Sequence, residues 1–503
     1  MWMSSCRLPG AQPVHYQRVT MEQWRTLAVT VQQQGGRLMS LWGQEHASGT
    51  FSIEAALVVQ EGVYWLSAML ESLHYPAIDD IFPNANRMQR VTADLLGISA
   101  QGARDQRPWW QHGQWGCRWP LRKTPLEAEG EGERDYPFVT VAGPGVHEIP
   151  VGPVHAGIIE PGHFRFSVVG ERILRLDTHL GYTHKGLEKL AAGMDPESLV
   201  RLGGRVSGDS TVAGSWATAQ ALEAVLGLSV VPRAEWLRAL WLECERVINH
   251  LGDLGALCND VGWSYGFAQL MTLKEATLRI YQEVGGHRYL RDIICLGGVV
   301  RDVSRDALAL LRGHVLSLER EVRHSEERLR DHAGVQDRWL TTGRVSPSMA
   351  AYYGMSGLAG RASAQAWDWR VNFPSLAYQC ADVQMATATQ GDVAARVAVR
   401  FAELHESLRL IGHFVEQMPQ GNWKTDWNGE GRAGIGMGWV EGWRGEMMAA
   451  VELDERGRIV RWHPEEVSMS QWPVLEQAVL GNIVPDFPLI NKSFNLSYSG
   501  QDG

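Results

Sequence analysis

No two of the six cysteines (Cys6, Cys117, Cys244, Cys258, Cys295 and Cys380) stand in a C-x-x-C pair. An iron–sulfur or zinc site of the usual spacing therefore cannot be written from this chain alone. Isolated thiols of this kind fit buried cysteines in a reducing compartment. The sequence also lacks an uninterrupted apolar run long enough to cross a bilayer. Residues 1–19 hold no apolar core of the signal-peptide type. A cytoplasmic location is expected, with attachment to a membrane through partners left open. Basic stripes are missing too: 47 Lys and Arg face 57 Asp and Glu, a formal net charge of -10, which argues against nucleic acid as a partner. There is no Gly-rich dinucleotide fingerprint, so any NAD would be met in another subunit. What the chain has in excess is tryptophan, 21 residues against 12 Tyr and 11 Phe. Trp suits surfaces that are apolar at one end and wet at the other, so an interface in a complex or ordinary packing both account for it.

With 503 residues, two or three domains are expected rather than one core. Residues 18–123 form a first unit. A helix is predicted over Met21 to Gln33, apolar or alternating segments around Arg37 to Trp42, Phe51 to Val59 and Val63 to Ala68, and a second helix from Ala85 to Leu96. The acidic, Gly-containing stretch EAEGEGERD (127–135) has no packing pattern, which places a linker at 126–137 between a 1–125 unit and a 138–503 unit. The second unit opens with strand-like sequence (138–176) and turns helical. Leu237, Leu240, Cys244, Val247 and Leu251 predict an amphipathic helix after Pro232. Further helices are predicted over 271–284, 303–330 and 393–417, the third-last of these segments being followed by a charge-rich one with a solvent face. Residues 354–378 are too rich in Gly, Ser and aromatics for a regular element. A hairpin is predicted around the turn DERG (454–457). The tail from Asn482 is turn-rich and only moderately apolar. The fold class is α+β: a small N-terminal α+β domain, then a mainly α-helical domain with a β-rich N-terminal part and a C-terminal hairpin.

One stretch, residues 147–227, concentrates chemistry-bearing residues. His155, Glu160 and His163 lie in a turn-rich segment opening onto an alternating run, and His179 and His184 follow. Arg205 and the polar turn Ser207-Gly208-Asp209-Ser210 then lead into a helix in which Val212, Trp216, Ala219, Leu222 and Leu226 recur at helical spacing. A turn feeding a helix start leaves N–H groups unpaired, which suits an anion, a carbonyl or a polar ligand. The alternative is that Ser and Asp simply cap the helix. A carboxyl partly desolvated beside His155 and His163 would have a raised pKa and could relay protons, against the alternative of a structural hydrogen bond at Glu160. Arg205, Arg361 and Arg370 either line the same cavity or contact a partner.

Seven ordered segments carry a resemblance: GPVHAGIIEPGHFRF, THLGYTHKGLEKL, ECERVINHLGDLG, ICLGGVVRDV, YYGMSGLAGRAS, DVAARVAVRFAELHES and EGWRGE. Through them residues 138–503 resemble the large subunit of the group 4, energy-converting [NiFe]-hydrogenases, and equally the quinone-site (49-kDa) subunit of respiratory complex I. Residues 71–123, through YPAIDDIFPNANRM, DLLGI and PLRK, resemble the complex I 30-kDa subunit. This fusion is known in formate-hydrogenlyase-type large subunits.

The resemblance implies a set of site residues, and the sequence departs from most of them. A nickel–iron centre is held by four thiolates, from an early R-x-C-G-x-C and a late D-P-C-x-x-C. Here the early segment is Arg205 to Ser210, with Ser207 and Ser210 at the cysteine positions, and the late one is placed at Asn491 to Leu496, with Ser493 and Leu496. Serine hydroxyls do not replace soft, deprotonated sulfur, so a nickel–iron centre is not expected. In complex I a histidine and a tyrosine grip the quinone headgroup. His163 keeps the first position, and Gly208 stands at the second. By the same resemblance Glu160 sits where the hydrogenases carry a proton-passing glutamate. The implied protein is the large soluble subunit of a membrane-associated oxidoreductase, peripheral on the cytoplasmic face of the inner membrane. Its partners would be a small iron–sulfur subunit of the complex I 20-kDa type, a ferredoxin-like subunit and antiporter-like membrane subunits. Electrons would pass to quinone or another small acceptor near Glu160, His163 and Asp209, with His155, Arg205, Ser207, Gly208 and Ser210 around it, coupled to ion translocation. A non-catalytic scaffold and a hydrogenase with atypical ligands are the two alternatives.

Overall fold

The computed structural model describes residues 5–127, 136–155 and 159–503. The first unit is built on a five-stranded sheet in the order Cys6–Arg7, Val14–Val19, Gly62–Leu70, Phe51–Val59, Arg37–Glu45. Val14–Val19 runs parallel to Gly62–Leu70 and the other neighbours are antiparallel. The connection that makes the parallel pair possible carries the Met21–Gln33 helix. That helix starts where it does because Thr20 and Gln23 cap each other's backbone N–H groups, an arrangement worth about 1 kcal/mol. The Ala85–Leu96 helix packs on the Arg37–Glu45 strand and stops at Gly97, which holds φ 70. The linker expected at 126–137 falls largely on 128–135, outside the described residues.

The second unit opens with an antiparallel sheet, Val146–Val151, His163–Val169 and Arg172–His179. Four long helices follow as a bundle. Pro232–Asp260 packs on Ser264–Gly285 and Val393–Gln417, and Arg305–Arg330 packs on both of these. Arg305–Arg330 buries Leu308, Leu311, Val315, Leu318 and Val322 at helical spacing and turns its charges to solvent, as its pattern requires. The Thr211–Leu226 helix is buried nearly all round, because a second antiparallel sheet covers its other side. Contact there is backbone to backbone. A Cβ at Gly436 would stand 2.3 Å from the Ala221 carbonyl oxygen, and one at Gly438 2.4 Å from that of Ala217.

Three expectations are corrected. The C-terminal hairpin, Glu446–Leu453 with Ile459–Glu466, carries a third strand, Gly434–Glu441. The ladder closes at Glu441 opposite Glu446 around the tight turn at 442–445, so the expected hairpin is part of a three-stranded sheet. Residues 354–378 form short helices, Gly357–Arg361, Trp369–Asn372 and Leu376–Gln379. The tail is core rather than loop. Ser468–Ala478 and Phe487–Phe494 are helices, and Leu489, Ile490, Phe494 and Leu496 are buried. Pro488 marks the first turn of a helix there, a position where its missing N–H costs nothing. This tail joins Phe164–Leu176 and the Ala85–Leu96 helix in one apolar cluster, so the first unit and the C-terminus share a core. The tryptophan surplus is packing: Trp24, Trp109, Trp216, Trp241, Trp339, Trp439, Trp443, Trp462 and Trp472 are all fully buried. No described helix is long and apolar enough to cross a membrane.

Candidate functional site

The Ser207–Ser210 turn enters the Thr211–Leu226 helix without capping it. Ser210 is the N-cap residue, but its side chain makes no capping hydrogen bond. The cap comes from the neighbouring helix instead: the Glu245 carboxyl accepts from the N–H groups of Val212 (2.6 Å) and Ala213 (3.2 Å). The helix-start donors expected to face a ligand are therefore already used by a buried side chain.

Around the turn runs a network centred on Arg444. Its Nη2 donates to Asp209 Oδ2 at 2.7 Å, and its Nη1 to Glu466 Oε1 at 2.9 Å and, more weakly, to Ser210 Oγ at 3.4 Å. Nε donates to the Asn495 carbonyl at 2.6 Å. Ser207 donates to Asp209 Oδ1 at 2.6 Å and shares a 2.8 Å hydrogen bond with Ser497. Burial pushes the Asp209 carboxyl up, but Arg444 and the Ser207 hydroxyl more than offset this and hold it below the usual carboxylate range. Trp443 and Asn249 donate to its backbone carbonyl, so the turn is fixed from three sides.

The register expected for the late segment is corrected here. Ser493 accepts from buried Arg396 and donates to the Ile490 carbonyl, and Leu496 lies in the apolar cluster. The hydroxyl that meets Ser207 is that of Ser497, four residues beyond Ser493. Three residues after Ser497, Gly500 donates its N–H to the Ser497 hydroxyl, and a Cβ there would lie 3.0 Å from that oxygen. Two segments thus converge as two pairs of metal ligands would, but with Ser207, Ser210, Ser497 and a glycine. The donors are neutral hydroxyls engaged with one another and with a guanidinium, so the set does not fit a nickel–iron centre. The buried cysteines Cys244 and Cys258 are not placed in this network, and burial pushes both thiols up, Cys258 to about 12. Among the described residues no group of three or more His, Cys, Asp and Glu is arranged to hold a metal ion.

Beside the turn opens a cavity of about 700 Å³. Gly208 and Asp209 form part of its wall, with Glu245, Asn249, Gly252, Asp253, Ala256 and Asp260 from one face of the Pro232–Asp260 helix. Met271 and Lys274 come from Ser264–Gly285, and Lys492 and Asn495 from the tail. Exposed Ile159, Phe267 and Tyr289 make an apolar rim. Two ionisable groups in the wall are perturbed, Glu245 strongly. Burial raises Glu245 to about 8, against the two backbone N–H groups that favour its charged form. Burial also lowers Lys274, against the opposing pull of Asp253 and Asp209. The cavity therefore holds a carboxyl that is protonated at neutral pH and an amine whose proton is loosened. Such a pair can donate and accept protons at a bound small molecule.

Several expected site residues lie elsewhere. Glu160 is exposed and accepts from the Ser499 N–H at 3.1 Å, so it is not a carboxyl desolvated between histidines. His155 bonds the Gly162 carbonyl at 2.8 Å. His163 stands opposite His179 in the ladder and therefore on the same sheet face. It faces Phe138 (ring centroids 5.2 Å apart) rather than the Asp209 cavity, in a cluster where Tyr136 stacks on His179. Burial lowers its pKa, and its Nε2 is buried without a hydrogen-bond partner among the described residues. Arg205 forms a half-exposed ion pair with Asp292. Arg361 and Arg370 are internal, paired with Glu403, Glu441, Asp368 and Glu243. Glu245, Lys274, Arg444 and Ser497 were not singled out from sequence. The signal for the first was present: Glu245, Asn249, Asp253 and Asp260 recur at helical spacing, a polar stripe along one face of the helix.

Residues 17–129 match the family model of the respiratory-chain NADH dehydrogenase 30-kDa subunit, and residues 260–432 that of the 49-kDa subunit. Hydrogenase-4 component G of Escherichia coli is 32% identical over 439 residues, covering 86% of this chain and 76% of the relative. The chain belongs to this family of complex I-type and hydrogenase large subunits. Formate hydrogenlyase subunit 5 of Escherichia coli is 28% identical, covering 93% of this chain and 85% of its own length. In structure, the family member resembles a chain of the membrane-bound sulfane sulfur reductase, an archaeal respiratory membrane complex. The TM-score is 0.68 at 25% identity, over 71% of this chain and 99% of that one. Members of the family are oxidoreductase subunits, and this chain is a subunit of an assembly of that membrane-bound, complex-I-like kind.

Proposed function

We propose that this subunit passes electrons from an iron–sulfur cluster in a partner subunit to a small acceptor bound in the Glu245–Asp209 cavity, without a nickel–iron centre. The observation that carries this is the exchange at the converging segments. Where the family's hydrogenases hold thiolates, this chain has Ser207, Ser210, Ser497 and Gly500, braced by an Asp209–Arg444–Glu466 network, and directly beside it a cavity with a protonated carboxyl and a loosened amine. Reducing a quinone, or an acceptor such as a sulfane sulfur chain, consumes protons as well as electrons. Glu245 and Lys274 would supply them, and Asp209, held ionised by Arg444, would keep a fixed negative charge that orients the acceptor. The apolar rim of Ile159, Phe267 and Tyr289 suits a partner that closes the cavity and brings its cluster near, the small iron–sulfur subunit being the natural one. Ferredoxin-like and antiporter-like subunits would complete electron supply and ion translocation. His163, in its own aromatic pocket, would not grip the acceptor.

The deciding experiment is metal analysis with electron paramagnetic resonance on the complex purified with its partners, followed by acceptor reduction in Glu245→Gln and His163→Ala. The expected result is an iron–sulfur signal without nickel, and acceptor reduction that falls at least about tenfold in Glu245→Gln. Stoichiometric nickel would overturn the reading. Wild-type complex without acceptor reduction would leave the non-catalytic scaffold in its place.

A further inference from the structure

A second concave site shares no residue with the Glu245 cavity. It is a pocket of about 230 Å³ where five arginines converge: Arg87 and Arg90 from the Ala85–Leu96 helix, Arg104 and Arg107 from the loop after it, and Arg175 from the Arg172–His179 strand. Asp79, Asp105, Asp177 and Glu476 also line it, so among the described residues five positive charges face four negative ones.

The pairing inside the pocket is uneven. Asp105 serves Arg107 at 2.6 Å and Arg90 at 3.2 Å, Asp177 serves Arg175 at 2.7 Å, and Glu476 serves Arg87 at 2.6 Å. Asp79 is not paired with a guanidinium. Its Oδ2 accepts from the Asn86 side chain and from the Arg104 backbone N–H. Two cations are thereby left with donors to spare. Among the described residues Arg104 has no carboxylate partner, and its guanidinium reaches the Tyr352 hydroxyl, at 3.3 Å. Arg87 is 4% exposed and lies over the Trp109 ring, and its Nη2 bonds Thr178 and Glu476. Its Nη1 is buried with no hydrogen-bond partner among the described residues. One acceptor is in the same condition: Asp79 Oδ1, in the same lining, is also buried and unpartnered.

An unpaired buried guanidinium nitrogen asks for an acceptor, and an unpaired buried carboxylate oxygen asks for a donor. Guanidinium groups match phosphate oxygens in geometry as well as in charge. Hydrogen phosphate offers both kinds of group on one tetrahedral anion, since it carries an O–H. Sulfate has the same shape and no hydroxyl. We infer that this arginine pocket binds a hydrogen phosphate group, with Arg87 and Arg104 donating to its oxygens and Asp79 accepting from its hydroxyl. The group is either free phosphate or the phosphate of a small monoester.

Calorimetry on the purified complex tests this, at fixed ionic strength, with inorganic phosphate, sulfate and glycerol phosphate as probes. The expected result is one phosphate bound per chain, with sulfate at least about tenfold weaker. Arg104→Ala, at an exposed guanidinium whose loss should leave the fold intact, should weaken phosphate about tenfold. Asp79→Asn should erase the preference over sulfate. Glycerol phosphate binding more tightly than phosphate assigns the site to a monoester, and weaker binding assigns it to the free anion. Phosphate and sulfate binding equally, or phosphate binding unaltered in Arg104→Ala, would overturn the assignment.

Discussion

Glu245 makes the sharpest quantitative claim. Its carboxyl is fully buried, caps Val212 and Ala213, and has its pKa pushed by burial to about 8 from an ordinary 4.5. A carboxyl raised on folding stabilises the fold fully below the unfolded-state value, and that stability drains away as pH rises through the folded-state value. The window is therefore about pH 4.5 to 8. At about 1.4 kcal/mol per unit, the part lost between roughly pH 6 and pH 9 is on the order of 3 kcal/mol. Glu245→Gln keeps an oxygen to accept from the two N–H groups but cannot ionise. Its urea midpoint should therefore fall less between those pH values than that of the wild type, by an amount equivalent to that figure. The protonation itself is visible as a carboxylic C=O stretching band in infrared spectra. That band should disappear from the wild type with a midpoint near pH 8 and be missing in the variant. A wild-type spectrum at pH 7 identical to that of Glu245→Gln, or parallel pH slopes, would refute both the raised pKa and the proton-donor role built on it.

Two further substitutions probe the frame that holds the site. Gly438→Ala would force a Cβ to within 2.4 Å of the Ala217 carbonyl oxygen, where the strand meets the Thr211–Leu226 helix. It should cost about 1–3 kcal/mol, read as a lowered thermal midpoint, and a neutral result would mean that the helix is free to move away. Arg444→Leu would leave Glu466 buried and Asp209 without its cation, at a cost of about 3–5 kcal/mol. Adding Glu466→Gln should recover part of that loss. If the double variant is no more stable than the single one, the network is not the electrostatic unit described.

Much of the fold was legible because its local signals agree with one another. Met21–Gln33, Ala85–Leu96 and Val393–Gln417 lie where apolar periodicity puts them, and Thr20, Gly97 and Asp392 supply the stop and start chemistry at their ends. The tail was misjudged for the converse reason. Its two prolines resemble loop punctuation, whereas Pro488 opens a helix, and its apolar residues are buried by partners hundreds of residues away. The site was legible by position and not by pairing. The family motifs led to the Ser207–Ser210 turn, but which late residue faces it depends on how the tail coils. The resemblance to the family's late motif implies Ser493 and Leu496 there, while a helix ending at Phe494 and a left-handed Asn495 carry Ser497 to it.

The same physics explains how this region is held together without thiolates. A pocket shaped for anionic ligands around a metal would leave Arg444 uncompensated once those ligands are gone. Here Asp209 and Glu466 supply the two negative charges, and three hydroxyls fill in the hydrogen bonds. One guanidinium thus lies between two carboxylates, and the network forms a polar, anionic wall for the neighbouring cavity. That wall is what places a permanently ionised Asp209 beside a protonated Glu245, two carboxyls whose surroundings push their pKa values in opposite directions. A pair separated in this way is the usual mark of divided acid and electrostatic roles, and both carboxyls line the cavity beside the Ser207–Ser210 turn.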